Sequence, residues 1–269
     1  MQKPIFIQAT NLSDAWFQAL YNVLKFGRTF KIDSGSYAGE TRIELDFITV
    51  QVLAPYLRDY EGLPFIPEIP PTIDLPAPVT RDYLREYVPY LLTAERAENE
   101  AYTYGERLNA ASVPSSSYTN NYIMEEIESG RAKHVGKAIH SISIDDAYDI
   151  NVIRLNQIQY IIDTYKKHGH RNNQMVLQVA QPADILLSDP PCLRHIDTRI
   201  QDGKLHFYPY FRSWSMWGGF PANLAAISML QEHMANEIGV EQGEIIATSK
   251  GLHLYGFEEK LAKIRCMVE

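Results

Sequence analysis

The chain has 269 residues, of which 45% are hydrophobic and 22% are charged, and its formal net charge is −8 at pH 7. This length and composition are typical of a globular protein with a substantial core. The acidic balance argues against nucleic acid as a partner, because a duplex-binding surface places many lysines and arginines on phosphates. The sequence also has no apolar run of membrane-spanning length, no signal-peptide pattern and no cysteine cluster for zinc. We therefore expect a cytoplasmic protein without membrane association or a metal.

The N-terminal half mixes helical and strand patterns. Residues 11–26 place an apolar stripe behind a capping asparagine and predict a helix. Residues 41–54 alternate apolar and polar side chains and predict one strand. Residues 64–78 are rich in proline and predict an irregular connection, which residues 81–100 follow with a helical pattern. Residues 108–150 predict an insertion or irregular surface segment.

The C-terminal half predicts longer elements around a tight turn at residues 201–203. We expect helices at residues 151–168, 221–238 and 257–266, and strands at residues 174–180, 196–200, 205–212, 243–247 and 252–255. Strands and long helices without a regular β-α-β repeat favour an α+β fold. We expect a single domain over residues 1–269.

One cysteine has the setting of a nucleophile. Cys192 follows Pro190 and Pro191, which fix the backbone and place the thiol in a loop just before a strand. A buried structural cysteine is the alternative. Arg212 ends the next strand, where a guanidinium can bind phosphate and lower the pKa of a nearby thiol. Together these residues indicate covalent attack on an anionic substrate.

Three further residues have both a structural and a functional interpretation. Asn223 lies near the start of a helix, where it could cap the helix or recognise the O4 and N3–H edge of uracil with its donor and acceptor. His253 and Tyr255 are two residues apart and share one face of a predicted strand. They could pack there or hydrogen-bond a sugar hydroxyl.

These motifs, in this order and spacing, resemble the thymidylate synthase family. They are Pro191-Cys192, Arg212-Ser213, Pro221-x-Asn223 and His253-x-Tyr255. The resemblance is best over residues 150–256, extends more loosely over residues 31–107, and is greatest to the compact archaeal-type branch. It implies a mixed sheet packed by long helices and a homodimer formed sheet to sheet.

The resemblance also implies a role for each site residue. Cys192 would add to C6 of a pyrimidine nucleoside monophosphate, and 5,10-methylenetetrahydrofolate would deliver one carbon to C5. The other implied roles are Glu86 and Tyr104 for proton transfer, Asn223 for the base, Arg212, Ser213, Arg42 and Arg171 for the phosphate, His253 and Tyr255 for the 3′-hydroxyl, and Ser215 and Gly219 for folate. Arg171 would act across the dimer interface.

Three departures from the family pattern affect folate more than the nucleotide. Leu193 stands where the family usually has histidine, Ser215 stands in place of an aspartate, and few residues follow Tyr255. The leading expectation is methylation of dUMP to dTMP. A pyrimidine nucleotide 5-hydroxymethylase that acts on dUMP, dCMP or CMP, in which water near Asp189 captures the methylene intermediate, is the first alternative. A non-catalytic nucleotide-binding relative is the second.

Overall fold

The computed structural model describes residues 2–33, 37–114, 142–144 and 152–268. The helices are α1 (Leu12–Phe26), α2 (Arg81–Leu91), α3 (Tyr104–Asn109), α4 (Gln157–His168), α5 (Gly219–Ile238) and α6 (Gly256–Cys266). The strands are β1 (Ile5–Ala9), β2 (Arg28–Lys31), β3 (Thr41–Leu45), β4 (Ile48–Val52), β5 (Ala111–Pro114), β6 (Ile142–Ile144), β7 (Val152–Leu155), β8 (Val176–Gln178), β9 (Leu193–Gln201), β10 (Lys204–Phe211), β11 (Trp214–Ser215), β12 (Glu241–Ser249) and β13 (Leu252–Tyr255). This mixture confirms the α+β class.

A mixed six-stranded sheet forms the centre, in the order β1-β4-β12-β10-β9-β8. The β1/β4 and β10/β12 pairs are parallel, and the other neighbours are antiparallel. Inward-facing side chains alternate along β10, where Phe207 and Phe211 are fully buried. The apolar helix α5 packs on this sheet and also contacts α1, α2 and α4. The core therefore lies between the sheet and its long helices.

A second, four-stranded sheet has the order β11-β13-β3-β2. Strand β13 runs antiparallel to β3, and their register places His253 opposite Glu44 and Tyr255 opposite Arg42. The short strand β11 continues the chain just after β10 and pairs with β13. The two sheets thus meet where β10 ends, which is the position of the Arg212-Ser213 motif.

The single strand predicted at residues 41–54 is wrong, because the chain changes sheets at its middle. Strand β3 belongs to the four-stranded sheet and β4 to the six-stranded one. Between them, the Asp46 carboxylate accepts a hydrogen bond from the backbone of Gln2 and pairs with Arg28. The alternating pattern spans both strands, so it does not reveal this break.

Two predicted helices are too long. Helix α2 ends at Leu91, not at residue 100, since Pro89 lies in its last turn and the chain turns away after it. Helix α4 begins at Gln157, where the Asn156 side chain caps it by accepting from the backbone of Gln159. The residues before it, predicted as helix, form β7 between β5 and β6.

The remaining predictions have mixed outcomes. The helices at residues 11–26, 221–238 and 257–266 are confirmed to within two residues, and so is the turn at residues 201–203, where Asp202 and Gly203 both have positive φ. Most of the predicted insertion at residues 108–150 lies outside the described residues. Strands β1 and β2 and helix α3 were not predicted. No helix in the described ranges combines the length and apolarity needed to cross a membrane.

Gly105 allows a test of how closely α3 packs against the end of α2. A Cβ there would lie 2.1 Å from the carbonyl oxygen of Tyr90 and 2.4 Å from that of Thr93. We expect Gly105→Ala to displace α3 and to lower the free energy of unfolding by about 1–3 kcal/mol, as overpacking does. Thermal and urea unfolding would measure this. The control is Asn99→Ala, at an exposed position in the loop between α2 and α3. Equal stabilities of the two variants would contradict the close packing of α3 against the carbonyls of Tyr90 and Thr93.

Candidate active site

A cavity of about 610 Å³ opens between the loop before β9 and the second sheet. It is lined by seven of the residues that the sequence singled out, namely Cys192, Arg212, Ser213, Ser215, His253, Tyr255 and Arg42. Lys31, Asp33 and Asp189 add further charges to its wall. The fold therefore brings the predicted nucleophile, phosphate ligands and sugar ligands to one opening.

Cys192 is fixed to the end of strand β10. Its carbonyl oxygen accepts a hydrogen bond of 2.9 Å from the backbone of Arg212. The Arg212 side chain donates to the carbonyls of Pro190 and Pro191, and pairs with Asp189 at 3.2 Å. The two prolines contribute carbonyls but no N–H groups, so this loop can accept from the guanidinium without competing donors of its own.

The thiol does not have the lowered pKa that the sequence suggested. Burial raises the pKa of Cys192 above its ordinary value, the positive charges of Arg212 and Arg194 act against this, and the negative charge of Asp189 adds to it. Burial outweighs the arginines, because Arg212 is itself paired with Asp189. The thiol is therefore mainly protonated at neutral pH.

His253 is a buried residue in the wall of the cavity. Its Nδ1 lies 2.9 Å from the carbonyl oxygen of Gly251, and its Nε2 has no hydrogen-bond partner. Burial lowers the pKa of His253 to about 4, so the ring is neutral. Nδ1 must then carry the proton that is donated to Gly251, which makes Nε2 an acceptor. Tyr255 lies beside it, with ring centroids 4.9 Å apart.

An ion pair lies across from these two residues on β3. Arg42 Nη2 and Glu44 Oε2 form an ion pair of 2.8 Å, while the buried Arg42 Nε has no hydrogen-bond partner. Burial raises the pKa of Glu44, while the charge of Arg42 opposes the rise. The sequence identified Arg42 but missed Glu44. The signal was its place two residues after Arg42, on the same face of an alternating strand.

The amide of Asn223 is held in one orientation. Trp214 Nε1, which can only donate, lies 3.1 Å from one amide atom, so that atom is Oδ1. Nδ2 then donates to the Tyr87 hydroxyl at 3.0 Å. Asn223 is therefore not a simple helix cap, because its side chain joins β11 to α2. One Nδ2 hydrogen and one Oδ1 lone pair are left for another group.

Tyr104 lies against the start of β9. Its hydroxyl accepts a hydrogen bond of 3.2 Å from the backbone of Leu193, the residue after the cysteine. Burial strongly raises the pKa of Tyr104, and burial also raises that of Tyr87. Both phenols are consequently neutral hydrogen-bonding groups. Tyr87 was not identified from the sequence, although it is the residue next to Glu86 on the same helix.

Five of the predicted site residues do not line this cavity, namely Glu86, Arg171, Tyr104, Asn223 and Gly219. Glu86 is exposed on α2 and does not line the cavity, since the helix turns Tyr87 toward Asn223 instead. Arg171 lies with Arg199 along a separate opening at the far end of β9. Gly219 begins α5, where a Cβ would come within 3.2 Å of the Ser215 side chain. No group of three or more metal-ligating side chains occurs in the described ranges.

Comparison with known proteins agrees with this geometry. The family model described as thymidylate synthase matches residues 116–267. Proteins provisionally named thymidylate synthase from Methanosarcina acetivorans and Methanosarcina mazei are each 26% identical over 251 residues, covering 93% of this chain and 88% of theirs. One from Methanococcoides burtonii is 24% identical and covers 96% of this chain and 93% of its own. The chain belongs to the thymidylate synthase family, and its relatives here are archaeal.

Proposed function

We propose that this protein transfers a one-carbon unit to C5 of a uracil-bearing nucleoside 5′-monophosphate. The observation that carries the proposal is the position of Cys192 in a cavity that also holds Arg212, Ser213, His253 and Tyr255. A thiol that adds to C6 converts C5 into a carbon nucleophile, which is chemistry that a nucleotide needs before it can accept carbon at C5. The arginine end of the cavity suits the phosphate and the neutral histidine suits a sugar hydroxyl.

The orientation of Asn223 supports uracil over cytosine. Its free Nδ2 hydrogen can donate to O4, and its free Oδ1 lone pair can accept from N3–H. The Tyr87 hydroxyl accepts from Asn223 and so has its own proton available for a second bond to a carbonyl. Cytosine carries an amino group in place of O4. That amino group is a donor, and it would meet the donors of Asn223 Nδ2 and the Tyr87 hydroxyl.

The thiol becomes reactive when the substrate arrives. A bound phosphate would compete with Asp189 for Arg212, and the Cys192 thiol would pass its proton to water in the open cavity as its sulfur adds to C6. The electrons of the C5–C6 double bond move toward O4, where the Asn223 amide and the Tyr87 hydroxyl stabilise the developing negative charge. We propose that Tyr104, whose hydroxyl accepts from the backbone of Leu193, relays the proton that leaves C5.

The residues around Gly219 fit a folate cosubstrate. Gly219 leaves free the space beside Ser215, and a Cβ there would also approach Asn223 Oδ1 to 4.0 Å. A glycine at this position therefore keeps a side chain out of the space next to Ser215 and Asn223, where the ring of the cosubstrate would lie. 5,10-Methylenetetrahydrofolate supplies the carbon and, for methylation, the hydride. Capture by hydride gives the methyl nucleotide, which is dTMP from dUMP, together with dihydrofolate.

A 5-hydroxymethylase is the second candidate, and Asp189 is the observation that favours it. Asp189 lines the cavity beside Cys192, and its side chain is 71% exposed. A carboxylate in that position can orient water toward the methylene carbon, so that water in place of hydride captures it. The products are then the hydroxymethyl nucleotide and tetrahydrofolate.

We further propose a homodimer in which Arg171 serves the partner's phosphate site. Arg171 lies outside the cavity of its own chain, along an opening that it shares with Arg199. The guanidinium groups within the cavity are each already paired with a carboxylate, Arg212 with Asp189 and Arg42 with Glu44. A phosphate dianion would gain from a further cation supplied by a second subunit.

The reaction can be tested with a uracil nucleotide tritiated at C5. We expect tritium release that depends on methylenetetrahydrofolate and is abolished in Cys192→Ala, because the C5 proton is labile only in the covalent adduct. Dihydrofolate absorbance, followed in parallel, separates methylation from hydroxymethylation. Cys266→Ala serves as the matched control and should retain release. Release that persists in Cys192→Ala would refute the covalent mechanism.

The negative charge of Asp189 predicts a change in the pH dependence of Cys192 alkylation when that charge is removed. Asp189→Asn removes a negative charge that raises the pKa of Cys192, so the thiolate forms at lower pH. In a Cys266→Ser background, we expect alkylation by iodoacetamide at pH 7.5 to become about two- to fivefold faster and its pH midpoint to fall. The exposed Asp74→Asn should leave the profile unchanged. A midpoint that rises in Asp189→Asn would contradict the electrostatic account.

Tyr87 is tested by removing only its hydroxyl. Tyr87→Phe leaves Asn223 Nδ2 without its acceptor, so the amide is free to rotate away from the base. We expect kcat/KM for tritium release to fall about 10- to 100-fold, while the alkylation rate of Cys192 stays within about twofold. Tyr83→Phe, one helical turn earlier, is the control. If both variants behave alike, Tyr87 does not position the amide.

A further inference from the structure

A buried carboxylate lies behind the loop that carries Cys192. Asp184, in the short 3₁₀ turn Pro182–Leu186, is 1% exposed, less than any other acidic residue that the structure describes. Its Oδ1 accepts a hydrogen bond of 2.8 Å from Arg107 on α3, and its Oδ2 lies 3.9 Å from Nη1 of Arg194 on β9. One buried negative charge is therefore shared by two positive charges. None of these three side chains lines the cavity.

Arg194 connects this carboxylate to the backbone beside the thiol. Its Nη1 donates to the carbonyl of Pro191 at 3.2 Å, and the same carbonyl accepts from Arg212 Nε at 3.2 Å. The residue before Cys192 is thus held by one guanidinium from β9 and another from the end of β10. Asp184 contacts only the first of these two guanidinium groups.

Arg107 connects the carboxylate to the start of the same loop. Its guanidinium lies over the ring of Tyr102, 5.6 Å from the centroid, and the Tyr102 hydroxyl donates to the carbonyl of Asp189 at 3.4 Å. Arg107 is also fixed from its other side, because it donates to the carbonyl of Val179. Asp184 therefore reaches both ends of the loop through its two arginine partners.

The charge of Arg194 also acts on the thiol itself. It lowers the pKa of Cys192, against the larger effect of burial. The described ionisable groups that interact with this thiol are Arg212, Arg194, Asp189, Tyr102, Tyr104 and Tyr255. Asp184 is not among them, so any influence of Asp184 on the thiol passes through the arginines.

We propose that Asp184 is a positioning residue for the nucleophile, which holds Arg194 against the Pro191 carbonyl and keeps its charge beside the thiol. The catalytic part of this inference rests on the proposed function. Without the carboxylate, the guanidinium groups of Arg107 and Arg194 would repel each other. The side chain of Arg194 is 25% exposed and that of Arg107 is 11% exposed, so Arg194 would be the one to turn into water.

The test follows alkylation of Cys192 by iodoacetamide against pH, in the Cys266→Ser background. We expect Asp184→Asn to raise the pH midpoint and to slow alkylation at pH 7.5 about two- to fivefold, because less thiolate is present. A direct charge effect has the opposite sign, since loss of a nearby carboxylate lowers the pKa of a thiol, as expected for Asp189→Asn. The direction of the shift therefore separates positioning from charge.

Two further variants define the path of the effect. Arg194→Gln removes the tether directly and should raise the midpoint by a similar amount, and the double variant with Asp184→Asn should add nothing further. Asp59→Asn is the matched control. Its carboxylate is 6% exposed and pairs with Arg81 at 2.8 Å, outside the cavity lining. It should lower stability and leave the midpoint unchanged.

The tritium-release assay measures the consequence for the proposed reaction. We expect Asp184→Asn to lower kcat about 5- to 20-fold and to leave KM for the nucleotide within about threefold, because Asp184 does not line the cavity. Wild-type protein that releases no tritium would refute the proposed function, while the alkylation shifts would still decide the positioning of the thiol.

The remaining outcomes would overturn the proposal. A midpoint that falls or stays unchanged in folded Asp184→Asn would show that the carboxylate does not position the thiol. Shifts that add in the double variant would show that Asp184 does not act through Arg194. If Asp184→Asn does not fold, Arg194→Gln decides, since a raised midpoint there supports the tether and an unchanged one overturns it.

Discussion

The site depends on one backbone hydrogen bond, from the amide of Arg212 to the carbonyl of Cys192. It ties the loop that carries the thiol to the point where the central sheet ends and the second sheet begins. The side-chain bonds from Arg212 to the Pro190 and Pro191 carbonyls reinforce the tie. Because β11 and β13 follow from the same junction, the position of His253 relative to Cys192 is set by sheet geometry and not by a flexible loop.

Both arginines of the cavity, one at this junction and one on the second sheet, are paired with carboxylates. Each arginine that could bind phosphate already has a carboxylate partner, Asp189 for Arg212 and Glu44 for Arg42. The partners differ in exposure, however, because the side chain of Asp189 is 71% exposed and that of Glu44 is 16% exposed. A phosphate can therefore displace Asp189 into water at little cost. Glu44 is too buried to move into water in the same way. The charge of Glu44 is therefore compensated within the cavity wall by its ion pair with Arg42.

The sequence predicted which residues line the cavity better than it predicted the elements that carry them. Cys192, Arg212, His253 and Tyr255 follow from motif order, and strand alternation already places the last two on one face. The break between β3 and β4 could not be predicted, because the alternation continues across it and only long-range bonds from Asp46 mark it. Glu44 was missed for the same reason. It becomes a site residue only through its pairing with β13, which is a non-local contact.

The difference between Glu86 and Tyr87 has the largest chemical consequence. Neighbouring helix positions are about 100° apart, so a motif aligned one residue off assigns an exposed side chain to the site. The small cavity on the far side of Asn223 is lined by Tyr87, Tyr104 and apolar residues, with no carboxylate among these described residues. Burial raises the pKa of both phenols, so neither can serve as a ready anionic base. In the reaction that we propose, proton transfer at O4 and C5 would therefore pass between neutral hydroxyls and the substrate itself. Such a site favours a substrate whose developing charge is stabilised by hydrogen bonds. It is less suited to a substrate that a carboxylate must deprotonate.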